Sequence, residues 1–182
     1  MARSAYNLPN ILTYARILAV PLIVVCFFLE GRLQSSDFAR WLSFAIFVVA
    51  SLTDFLDGYL ARKWKQTSNI GRMLDPIADK LLTGAALVML AVLAELPVWV
   101  VVVILVREWG ITLFRFLMLR DRVIPASRGG KLETVVQAVA ISFALVPLWQ
   151  LLGEWVHIVN TVLMSAAVVL TVVTGIDYLV QA

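Results

Sequence analysis

With 182 residues, 62% of them hydrophobic and 15% charged, and a mean hydropathy of +0.92, the chain has too little polar surface to cover a water-soluble domain, so its solvent is the bilayer. The net charge of +3 then reads as membrane topology and attraction to anionic head groups rather than nucleic-acid binding. One cysteine, Cys26, excludes an intrachain disulfide and a cysteine metal cage, and reads as a small apolar side chain.

A spanning helix needs about 20 mostly apolar residues. Six segments qualify, 11–29, 38–57, 73–94, 97–119, 132–152 and 156–179, which predicts an all-α integral membrane protein with a single domain over 1–182. The first segment reads as a retained helix rather than a cleaved signal, because Arg16 and Pro21 lie inside it and no small-residue cleavage site follows. Helix capping and substrate contact are both open to Asn10 and Thr13 near its start. If the N-terminus is cytoplasmic, Arg3, Arg16, Arg62, Lys63, Lys65, Arg72, Lys80, Arg120, Arg122, Arg128 and Lys131 all fall at or near cytoplasmic helix ends, and only Arg32 and Arg40 fall outside. That asymmetry is the positive-inside pattern, and it predicts that both termini, and the acidic stretch from Asp54 to Asp79, lie on the cytoplasmic side of the membrane. Trp41, Trp99, Trp149 and Trp155 near helix ends read as interfacial anchors, and His157 as an interfacial residue on the outer side.

At the facing ends of the second and third segments stand four carboxylates, Asp54, Asp57, Asp75 and Asp79. Charges at the edge of hydrocarbon are costly unless paired, hydrated or bound to an ion. At 100° per residue, Asp54, Asp57, Gly58 and Ala61 share one stripe of a helix with Arg62 beside it, while Gly71, Asp75 and Asp79 follow i, i+4, i+8 on the next. Two acidic faces at one depth suit a hard divalent cation, Mg2+ or Mn2+ and up to two ions, since no His or Cys accompanies them. The small residues let a phosphate or nucleotide approach the backbone. The competing reading is an ion-paired bundle interior, with Arg62, Arg72 and Lys80 neutralising the aspartates.

The pattern Asp54-x2-Asp57-Gly58-x2-Ala61-Arg62-x8-Gly71-x3-Asp75-x3-Asp79 resembles the full signature of the CDP-alcohol phosphotransferases. The resemblance implies a six-helix membrane enzyme, usually a homodimer, in which an alcohol displaces CMP from a CDP-linked lipid. It implies Asp54, Asp57 and Asp75 as metal ligands, Asp79 as ligand or general base, and Gly58, Ala61, Arg62 and Gly71 at the CDP moiety. Asp79 as an ordinary carboxylate is a weak base in water, so metal lowering of the alcohol's pKa, or desolvation, has to help it.

The acceptor is read from the remaining cations. Arg107 and Glu108 interrupt the fourth segment near its middle and Arg115 lies eight residues on. With Lys131 these arginines suit the phosphate of a small phosphorylated alcohol. Alternatively, Arg107 and Glu108 satisfy each other or a neighbouring helix, and Arg115 snorkels. The segments Asn7-Leu8-Pro9-Asn10-Ile11-Leu12-Thr13-Tyr14-Ala15-Arg16, Arg107-Glu108-Trp109 with Arg115, and Gly130-Lys131-Leu132-Glu133-Thr134 resemble the phosphatidylglycerophosphate synthase branch, departing from it at Glu133, where lysine is frequent. That resemblance implies CDP-diacylglycerol and sn-glycerol 3-phosphate as substrates, CMP as a product, and contact of Thr13 and Arg16 with the CDP-lipid. The alternatives are an inositol-phosphate enzyme of the same family and, from another class, a divalent-cation transporter. A transporter would hold its ligands near the midplane on broken helices, whereas these acids lie towards one membrane face.

Overall fold

The computed structural model describes the backbone of residues 8–32, 37–64, 69–118 and 128–181, and the side chains of 11–29, 38–54, 74–114 and 129–180. Among the described residues there are seven helices and no strand: α1 (Leu8–Arg32), α2 (Asp37–Trp64), α3 (Asn69–Val92), α4 (Val98–Met118), α5 (Arg128–Leu145), α6 (Trp149–Leu152) and α7 (Trp155–Gln181). Five of the six segments read from hydropathy fall on one long helix each, and the segment 132–152 is divided between α5 and α6. Two, over Ile11–Leu29 and Trp155–Val180, are long and apolar enough to cross a bilayer, as a membrane protein requires.

The boundaries differ where hydropathy is a poor guide. α2 runs on through the charged stretch to Trp64 and α3 begins at Asn69, so all eight signature positions lie in helix. Thr13 is well inside α1, which begins at Leu8, and the capping reading is thereby removed for it. The fifth segment, predicted to reach residue 152, stops at Leu145, because Pro147 has no N–H to continue the ladder. The short α6 follows, and the chain turns at Gly153, whose φ of 91° only glycine adopts without strain. The ring of His157 stacks on Trp149 across this corner at 5.4 Å.

The chain forms two compact units, Met1–Met89 and Leu90–Ala182. In the first, α1 packs along α2. Arg16, Ala19, Ile23, Cys26 and Phe27 recur at helical spacing on the buried side of α1, and Phe47 and Ala50 are buried on α2. Leu18, Leu22, Val25 and Phe28 occupy the other side of α1 and are exposed. A helix apolar all round suits lipid rather than water. In the second unit α7 packs against α4, α5 and α6, with Ile104, Ile141, Leu145, Val156 and Ala167 fully buried. Hydroxyls inside the helices are satisfied locally: Ser43, Thr53, Thr112, Ser142 and Thr161 each donate to the carbonyl four residues back.

α3 ends in a Schellman turn. Ala94 N–H donates to the Ala91 carbonyl and Glu95 N–H to the Leu90 carbonyl, each at 3.0 Å, satisfying two carbonyls the helix leaves open. The residue that closes it is Ala94, at φ 59°, where glycine is usual.

Candidate active site

α1 carries two polar side chains one turn apart, Thr13 and Arg16, and both are 1% exposed. Neither hydroxyl nor guanidinium tolerates such burial without a partner. Each finds an acid of the signature. The Thr13 hydroxyl donates to Asp75 Oδ1 of α3, and Arg16 Nη1 pairs with Asp54 Oδ1 of α2 at 2.6 Å. Residues at i and i+3 have Cβ atoms about 5–6 Å apart, so α1 gathers carboxylates from two other helices onto one turn of its own surface. Asp54 remains more than a third exposed. Asp79, one helical turn beyond Asp75, is partly exposed, with Lys80 Nζ 3.4 Å from its Oδ2.

These acids are hard oxygen donors unaccompanied by imidazole or thiolate, which is the donor set of a magnesium or manganese ion. Among the described residues no three His, Cys, Asp or Glu side chains are gathered closely enough to hold an ion by themselves. The side chains of Asp57, Gly58, Ala61, Arg62 and Gly71, which the sequence assigns to the same site, lie outside the described residues. An apolar cleft of about 310 Å³ runs between α1 and α2 beside Arg16, lined by Leu12, Ala15, Ala19, Ile46, Val49 and Thr53 among others.

The residues assigned to the acceptor belong to the second unit. Arg107 is anchored from three helices. Its Nη1 donates to Glu108 Oε1 at 3.0 Å, and its Nη2 donates to Glu133 Oε2 of α5 and to Thr174 Oγ1 of α7, the latter at 2.8 Å. The pairing of Arg107 with Glu108 and a neighbouring helix, weighed above, is thus present. Lys131 is exposed on α5, two residues before Glu133, and the side chain of Arg115 lies outside the described residues. Sequence reasoning named Glu133 only as a departure from its relatives and did not name Thr174. The signal for Glu133 was its register: Glu133, Gln137, Ala140, Ile141 and Leu145 form one buried stripe of α5, and an acid on such a stripe requires a partner.

Residues 6–173 match the model of the CDP-alcohol phosphatidyltransferase family. A Mycobacterium tuberculosis protein named "Probable phosphatidylglycerophosphate synthase" is 47% identical over 176 residues, covering 97% of this chain and 81% of its own length. Proteins named "CDP-diacylglycerol--glycerol-3-phosphate 3-phosphatidyltransferase" are 38% identical in Bacillus subtilis, over 95% of this chain and 93% of that one, and 38% identical in Rickettsia bellii, over 94% and 93%. A family match over nearly the whole chain, full-length relatives and a complete eight-residue signature lead to one conclusion: the chain belongs to the CDP-alcohol phosphatidyltransferase family.

Proposed function

We propose that this protein transfers the phosphatidyl group of CDP-diacylglycerol to sn-glycerol 3-phosphate, forming phosphatidylglycerophosphate and releasing CMP. The observation that carries the reading is the pair of contacts from α1, Thr13 to Asp75 and Arg16 to Asp54, which brings acids of two helices to one place. Carboxylates so concentrated at the edge of an apolar bundle suit a site that takes a cation. The names of the full-length relatives supply the substrates.

In this reading Asp54, Asp57, Asp75 and Asp79 hold one or two Mg2+ or Mn2+ ions. Such ions screen the diphosphate charge and stabilise the leaving phosphate. Gly58, Ala61 and Gly71 leave room for the CDP group against the backbone, and Arg62 binds it. Arg16 and Thr13 orient the acids and border the donor. Arg107, Arg115 and Lys131 bind the phosphate of the acceptor. The primary hydroxyl oxygen of glycerol 3-phosphate attacks the β-phosphorus of CDP-diacylglycerol, the bond from that phosphorus to the oxygen of CMP breaks, and Asp79 takes the hydroxyl proton. The six long helices span the inner membrane of the cell as one catalytic domain, with the acids facing the cytoplasm and two copies forming a homodimer.

Purified protein in detergent, given CDP-diacylglycerol with Mg2+ or Mn2+, is tested for CMP release with glycerol 3-phosphate, inositol phosphate, inositol or serine. Turnover with glycerol 3-phosphate alone supports the proposal. Turnover with inositol phosphate instead keeps the family chemistry and overturns the acceptor.

A further inference from the structure

The cluster around Arg107 has a composition that phosphate binding alone does not require. Two carboxylates, Glu108 and Glu133, lie against one guanidinium, so the protein itself offsets much of the Arg107 charge. What Arg107 then offers a phosphate is chiefly the direction of its donor.

Everything around its side chain fixes direction. Both protons of Nη2 are used, by Glu133 Oε2 and Thr174 Oγ1. The Thr174 hydroxyl has two acceptors within reach of its one proton, the same carboxylate oxygen at 2.6 Å, which closes a ring across α4, α5 and α7, and the Leu170 carbonyl of its own helix at 2.8 Å. Glu133 is 1% exposed and Thr174 7%, so no water replaces either partner. The stem rests on Gly175, where an added Cβ would lie 3.2 Å from Arg107 Cγ. Of the Nη1 protons, one goes to Glu108, and Arg107 itself stays about a fifth exposed. With Nε buried and both Nη2 protons taken, the guanidinium presents one remaining Nη1 proton, and its grip by Glu133 and Thr174 fixes the direction of that charge-assisted donor.

We propose that Glu133 and Thr174 are positioning residues, which set the acceptor affinity by holding Arg107 at one orientation; this rests on the reading of Arg107 as an acceptor-phosphate residue.

The test is steady-state kinetics of the purified enzyme with both substrates varied. Thr174→Val keeps shape and removes both hydrogen bonds, and Glu133→Asp keeps charge but withdraws the carboxylate by one methylene. Each is expected to raise KM for glycerol 3-phosphate roughly ten-fold, the loss of about one charge-assisted hydrogen bond, while KM for CDP-diacylglycerol stays within about two-fold. Thr174→Ser is expected to restore the acceptor KM. Combined with Arg107→Lys, Thr174→Val is expected to add little further, because it acts through Arg107. If Arg107→Lys raises the acceptor KM but Thr174→Val and Glu133→Asp do not, the positioning proposal fails and the acceptor assignment stands. An acceptor KM unmoved by Arg107→Lys overturns both. Equal changes in the two KM values in the Thr174 and Glu133 variants, with Thr174→Ser giving no rescue, make the cluster a packing element and refute the proposal.

Discussion

Thr13→Val is the sharpest perturbation of the acidic site. Valine matches threonine in outline, so the buried stripe of α1 keeps its packing while the hydrogen bond to Asp75 Oδ1 is lost. Hydrogen bonds to charged groups contribute about 1.5–3 kcal/mol. The lower end applies here, because Thr13 is fully buried but Asp75 is only partly so, and water can replace the donor on the carboxylate side. About 1.5 kcal/mol corresponds to roughly a ten-fold effect. Turnover measured against Mn2+ concentration at saturating substrates should therefore shift to about ten-fold higher cation, and Thr13→Ser should return it. Were Thr13 instead a contact to the lipid donor, KM for CDP-diacylglycerol would move and the cation midpoint would not. Wild-type turnover and cation dependence in a folded Thr13→Val protein would refute the argument that α1 orients Asp75.

Excess chelator is expected to abolish CMP release, and restoring Mg2+ or Mn2+ to recover it; turnover in chelator would remove the divalent ion from the proposed function. Asp79→Asn is expected to lose about 10²–10⁴ in kcat, the usual contribution of a general base, with KM for CDP-diacylglycerol little changed. A variant that turns over normally and binds the donor weakly makes Asp79 a ligand rather than a base. Ala94→Gly tests the fold away from the chemistry: relief of left-handed strain at φ 59°, about 1–2 kcal/mol, exceeds glycine's entropic cost of about 0.5–1 kcal/mol. The variant should unfold at higher denaturant by about 0.5–1 kcal/mol with activity unchanged, and a destabilised variant would contradict the Schellman assignment.

Much of this was legible in the chain because its carriers are local. Spacing within one helix puts Asp75 and Asp79 one turn apart, and an apolar run long enough to span identifies a helix whatever surrounds it. Helix ends were less legible, since hydropathy falls at Asp57 while the helix continues to Trp64, and a backbone ladder does not stop where apolarity stops. Partners across helices were not legible. Thr13 and Arg16 suggested lipid contact by resemblance, and it takes the packing of α1 to set the Thr13 hydroxyl on Asp75 and to pair the Arg16 guanidinium with Asp54. Arg107 shows the same gap in a sharper form. A mid-helix arginine announces that it has an anionic partner without saying whether the anion belongs to the substrate or to the protein. Here the protein supplies two carboxylates and a hydroxyl. Buried as they are, these groups cost desolvation that a plain hydrophobic contact among α4, α5 and α7 would avoid, and an ion pair is not needed to hold three helices together. Their presence on the core stripes is accounted for by the need to aim a guanidinium rather than by stability, which is why Thr174→Val should be read in KM for the acceptor before it is read in unfolding.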